Sequence, residues 1–104
     1  MTTADLGEII TLARKVLDLT TIIPPTKPIR VDTSQVDEYW LVAPSDAFGV
    51  VENPKLLLRT LGDDLEELRA SVDGDIDERF LWHELQHLTG LLSFISFELT
   101  RQTP

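Results

Sequence analysis

The chain has 104 residues, 42% of them hydrophobic and none of them cysteine, and its 18 acids against 9 bases give a formal net charge of −9. That length fits a single domain over residues 1–104, and the charge argues against nucleic acid and anionic membranes, which attract Lys and Arg, while favouring a basic protein partner. Without cysteine there is no disulfide frame or thiolate chemistry. No apolar run is long enough to span a bilayer, the start Met1–Asp5 lacks the basic residues of a signal peptide, and a cytoplasmic protein is expected.

Thr3–Leu19 reads as an amphipathic helix capped by Thr3. Leu6, Ile9, Ile10, Ala13, Val16 and Leu17 form one face, and the final helix is its expected partner. Pro24, Pro25 and Pro28 then make a stiff, extended connector.

Two assignments compete for Ile29–Glu52. In one, Asp32 or Thr33 caps a short helix that turns Val36, Tyr39, Trp40 and Ala43 inward and ends at Pro44. In the other, Tyr39–Val42 and Phe48–Val51 form a hairpin across Pro44–Ala47, with Ile29–Val31 as a third strand. Short apolar runs do not separate the two. The helix followed by an irregular loop is the expectation, and in either case Tyr39 and Trp40 are expected as core anchors.

Asn53-Pro54 is a helix-start signal, which predicts a short helix over Lys55–Leu61 stopped by Gly62. Another helix is predicted over Asp63–Val72, capped by Asp63, with Leu65, Leu68 and Val72 inward and Gly74 as the stop. The charge is uneven along the chain. Residues 1–61 hold eight acids and six bases, whereas residues 62–104 hold ten acids and three bases. Asp63, Asp64, Glu66 and Glu67 crowd a first helical turn, where the helix dipole favours them. Three of these acids, Asp63, Asp64 and Glu67, define a candidate partner-binding surface together with Asp73, Asp75 and Asp77.

The last predicted helix, Ile76–Arg101, is the longest and most apolar. Leu81, Leu85, Leu88, Leu92, Ile95 and Leu99 recur at alternating spacings of four and three, a heptad seam that should be buried. Trp82 and Phe97 lie off that seam, and a homodimer interface would account for them.

His83-Glu84-Leu85-Gln86-His87 on this helix has the H-E-x-x-H pattern. Imidazoles one turn apart can chelate a metal ion, and the intervening glutamate could activate a bound water. Through Gly90 the string resembles the metzincin zinc proteases, H-E-x-x-H-x-x-G-x-x-H, but Ser93 stands where their third histidine would be. Glu98 shares the histidine flank yet lies roughly 16 Å along the axis from His87. A third ligand would have to come from another segment, with Asp46 the first candidate and Asp32, Asp37 and Glu38 the others. The structural alternative is two boundary histidines, hydrogen-bonded or half-exposed, on a packing helix.

Asp73, Asp75, Asp77 and Glu84 also match positions 1, 3, 5 and 12 of a calcium-loop template, but Glu78 replaces the glycine that the tight turn requires. Tyr39-Trp40, Pro44, Gly62-Asp63-Asp64-Leu65 and a last helix bearing Trp82 and His87 resemble a family of small, uncharacterised bacterial helical domains. The resemblance covers about the last two thirds of the chain and implies a helical fold without a known activity.

The expected fold is a mainly α, small helical bundle; the alternative is α+β with a small antiparallel sheet within residues 29–51. Functionally, the sequence points to a non-catalytic interaction protein without cofactor that binds a basic partner or itself. The alternative is a zinc-dependent hydrolase, with His83 and His87 as ligands and Glu84 as general base.

Overall fold

A computed structural model describes residues 3–31, 38–74, 79 and 81–102. Within them the chain is mainly helical with one two-stranded antiparallel sheet. The elements are α1 (Leu6–Ile22), β1 (Glu38–Val42), α2 (Pro44–Ala47), β2 (Leu56–Thr60), α3 (Leu61–Asp73) and α4 (Leu81–Gln102).

Asp5, not Thr3, caps α1, its carboxylate accepting the Glu8 N–H at 2.8 Å. Asp5 and Glu8 occupy the spacing of a capping box, which the more distant Thr3 cannot supply. The helix continues past Leu19 because Thr20 and Thr21 donate their hydroxyls back to the Leu17 and Asp18 carbonyls and so stay satisfied inside it. The proline connector follows. Gln102, the last residue of α4, clamps that connector through its amide. Gln102 Oε1 accepts from the Lys27 N–H at 3.0 Å and the Thr26 hydroxyl at 3.1 Å, and Gln102 Nε2 donates to the Lys27 carbonyl at 3.1 Å.

Residues 38–42 are a strand rather than the end of a helix. The alternation of the strand turns Tyr39 and Leu41 inward and leaves Trp40 63% exposed, so only the tyrosine of this pair is an anchor. Pro44 opens the single turn of α2 instead of ending a helix, as its fixed φ suits the first helical position. Phe48 and Val50 are fully open to solvent, and no strand forms there. Gly49 has φ 116°, a backbone region that only glycine enters readily.

The partner of β1 is β2, where a helix was expected. Tyr39 pairs with Arg59, Trp40 with Leu58 and Leu41 with Leu57. Asn53-Pro54 is a local helix signal, but five residues of helix gain little alone, while the ladder to β1 satisfies both backbones. The loop between the strands is closed by the Ala43 N–H donating to the Lys55 carbonyl and by Asp46 accepting the Lys55 N–H, both at 2.8 Å.

Helix α3 begins at once, with Thr60 as cap and Gly62 buried inside the first turn rather than acting as a stop. Gly74 ends the helix as expected, its N–H reaching the Ala70 carbonyl. Leu65 and Leu68 are half-buried, whereas Val72 points outward. Helix α4 packs on α3, but through an unexpected face. Its buried residues are His87, Gly90 and Leu91, on an arc on the order of 100° away from the leucine seam. Leu81, Leu85 and Leu88 remain substantially exposed.

The core is small and has a polar centre. Among the described residues the buried apolar side chains are Ala43, Leu61 and Leu91, and the buried polar ones are Asp64 and His87, which are 2% and 3% exposed. Helix α1 buries none of its residues. It borders α4 across an apolar groove of about 650 Å³ between Val16, Leu17 and Thr20 on one side and Leu92, Ile95 and Leu99 on the other. No helix among the described residues is long and apolar enough to cross a membrane.

Candidate functional site

Three elements converge on Asp64. The antiparallel register sets Tyr39 beside Arg59 on the inner face of the sheet, and the first turn of α3 presents the carboxylate to both. The Tyr39 hydroxyl donates to Asp64 Oδ2, and Arg59 Nη2 donates to Asp64 Oδ1 at 2.9 Å. Arg59 continues to α4, its Nη1 lying 3.3 Å from Gln86 Oε1. A buried carboxylate is costly unless its charge and lone pairs are matched, and here one cation and one hydroxyl match them. Burial, the hydrogen bond to Asp64 and that carboxylate's charge push the Tyr39 phenol far above its ordinary value, with Arg59 opposing in part. The tyrosine is therefore a donor, not an acid.

Gly90 makes this convergence sterically feasible. A Cβ at that position would collide with the Tyr39 hydroxyl and ring and press on Asp64 Oδ2. Glycine in the middle of a helix costs roughly 1 kcal/mol against alanine, and the close approach of β1 to α4 is what it permits.

One turn earlier on α4 lies the H-E-x-x-H string. The rings of His83 and His87 stand 4.4 Å apart at 54°, and the Trp82 ring lies 5.3 Å from that of His83. His87 is bracketed by carboxylates, with Nδ1 3.4 Å from Glu84 Oε2 and Nε2 3.9 Å from Asp64 Oδ1. One donor atom from each of His83, Glu84 and His87 falls within 4.8 Å of the other two. Burial pushes the Glu84 carboxyl up, but hydrogen bonds from Ser71 and His87 and the charges of the two imidazoles outweigh it and hold the group below the usual carboxylate range. Beside the histidines opens a cavity of about 520 Å³ lined by Arg59, Thr60, Asp63, Glu67, His83 and His87.

The other residues singled out from the sequence are dispersed. Asp64 is buried and cannot serve on a partner-binding surface. Its position in the first turn, one residue after exposed Asp63, turns it toward β2. Asp63, Glu67 and Asp73 are exposed on α3, while Asp75 and Asp77 lie outside the described residues. Asp46 is engaged with the Lys55 N–H instead of a histidine. Glu38 borders a separate groove with Trp40 and Phe97, and Asp32 and Asp37 lie outside the described residues. Ser93, in the place of the third metzincin histidine, is exposed, and the helix runs straight past Gly90 to Gln102. Of the calcium template, Asp73 is exposed at the end of α3 and Glu84 is turned to His87.

The Tyr39–Asp64–Arg59 network joins three segments whose pairing local sequence does not specify. Two signals could have marked it: an arginine inside the apolar run Leu56-Leu57-Leu58-Arg59, and a glycine in the middle of the most apolar helix. Comparison with protein-family models, curated proteins and solved structures yields no match.

Proposed function

We propose that this protein is a non-catalytic, cytoplasmic interaction domain that self-associates through α4. The observation that carries this reading is the uncovered first half of that helix. Leu81, Leu85 and Leu88 share one stripe there and Trp82 flanks it, one turn before Leu85, with Trp82 57% and Leu85 56% exposed. Contiguous apolar patches that include a tryptophan are typical of association surfaces rather than of free monomer surfaces. A second copy presenting the same helix would cover them, since a two-fold contact pairs a patch with itself.

The acidic surface supports a second kind of contact. Asp63, Glu66, Glu67 and Asp73 are exposed along α3, and a basic protein would be drawn to them at low ionic strength. The hydrolase reading has weaker support, because Glu84 lies among the metal-type donors instead of standing off as a base.

Sedimentation velocity on the purified chain tests self-association. The expected result is a reversible dimer that Leu85→Glu converts to monomer with an unchanged circular dichroism spectrum. A wild-type chain that stays monomeric at the highest soluble concentration would refute it.

A further inference from the structure

We propose that His83, Glu84 and His87 form a divalent transition-metal site in which Glu84 is a ligand, and that Asp64 is the carboxylate that orients His87 behind it. The proposal goes beyond the interaction reading and does not depend on it.

All three donors stand on one helix at positions i, i+1 and i+4, so the site needs no contribution from a distant loop. Around a tetrahedral zinc ion with bonds near 2.0–2.2 Å, neighbouring donor atoms are ~3.4 Å apart. Glu84 Oε2 and His87 Nδ1 are already at 3.4 Å. With all three donors within 4.8 Å of one another, side-chain torsions alone can bring His83 in.

The surroundings of His87 fit the same role. Metal-bound histidines commonly donate their other ring nitrogen to a carboxylate, which fixes the tautomer and the ring plane. If Nδ1 takes the metal, Nε2 carries the proton, and it lies 3.9 Å from Asp64 Oδ1, too long for a hydrogen bond as it stands, so a small rotation of the ring on metal binding has to close the contact. Asp64 is itself held by Arg59 and Tyr39, so the orienting group is rigid. The chain thus supplies a ligand set, a backing carboxylate and an adjoining cavity in which solvent can complete the coordination.

Two imidazoles and one carboxylate select late first-row divalent ions such as zinc, copper and nickel over calcium or magnesium, which prefer all-oxygen shells. With its carboxylate on the metal, Glu84 is not free to deprotonate a bound water. The site therefore holds an ion without the base that a hydrolase of the H-E-x-x-H type requires.

The test is calorimetric titration of zinc chloride into untagged, metal-stripped full-length protein. The expected result is one equivalent bound, with magnesium unable to compete. Affinity should fall by about tenfold or more in His83→Ala and in Glu84→Gln, and by about 10–100-fold in Asp64→Asn. Circular dichroism on each variant separates lost binding from lost fold. Glu84→Gln is half-buried and neutral in shape, so it keeps the test decisive should Asp64→Asn fail to fold. A wild-type chain with no saturable zinc binding overturns the proposal. So does a folded Glu84→Gln variant with wild-type affinity, which would leave only the two imidazoles on the metal.

Discussion

Gly90 of α4 lies directly against the Tyr39 phenol, with no room for a single methyl group between them. Gly90→Ala must either push β1 off α4 or break the Tyr39–Asp64 hydrogen bond. Alanine favours the helix but overpacks this contact, and the expected net loss is about 1–3 kcal/mol. Urea denaturation checks it, and a stabilised variant would show that the strand is free to move away.

Asp64→Ala removes the acceptor shared by Tyr39 and Arg59 and leaves the guanidinium, which is 15% exposed, without its carboxylate. Breaking one side of a buried ion pair costs on the order of 3–5 kcal/mol. Asp63→Ala, one residue earlier and exposed, serves as the control and should be far milder. Comparable losses in the two variants would contradict the placement of Asp64 in the core.

Stability should also carry an alkaline signature of Tyr39. Its phenol is raised in the folded state, so the folded chain holds that proton more tightly than the unfolded chain does. The contribution is fully present below the ordinary phenol value of about 10 and is lost as pH rises from there toward the folded value. Tyr39→Phe should therefore show a shallower fall in stability above about pH 10 than the wild type. Parallel alkaline limbs in the two proteins would exclude a protonated, buried Tyr39 donor.

Leu91 and Leu88 distinguish the buried face of α4 from its leucine seam. Leu91 is 9% exposed and Leu88 is 38% exposed. Leu91→Ala should cost about 2–5 kcal/mol, as for a buried leucine, and Leu88→Ala clearly less. Chemical denaturation of the two variants under conditions where the chain is monomeric would reveal a reversed order if the seam were the true core.

The three long helices were legible because each extends an apolar period over several turns, and Gly74 and the proline connector gave clear stops. β2 was not, because Asn53-Pro54 speaks only for its neighbourhood, whereas the ladder to Glu38–Val42 depends on a partner some eighteen positions away. The buried side of α4 misled for a different reason. Hydrophobic periodicity locates a core by its apolar residues, and here Asp64 and His87 are buried while Leu81, Leu85 and Leu88 of the seam stay exposed. The H-E-x-x-H string was visible at once; that Asp64, read from the sequence as a surface charge, backs His87 was not visible, since the pairing runs between α3 and α4.

The amide clamp of Gln102 on the Lys27 peptide gives the molecule two tiers of cooperativity. Helix α1 buries none of its own residues, so among the described residues its attachment runs through the groove it borders and through the connector, which Gln102 grips by hydrogen bonds and whose Pro25, Ile29 and Val31 border an apolar groove with α3 and α4. Opening there would release seventeen helical residues while the sheet, α3 and α4 stay assembled. Amide protons of α1 should then exchange with solvent through a low-energy local excursion, and those of α4 around Leu91 only through global unfolding. Gln102→Ala would widen the gap between the two exchange regimes without lowering the slower one, making the first helix a dissociable arm on an otherwise intact unit.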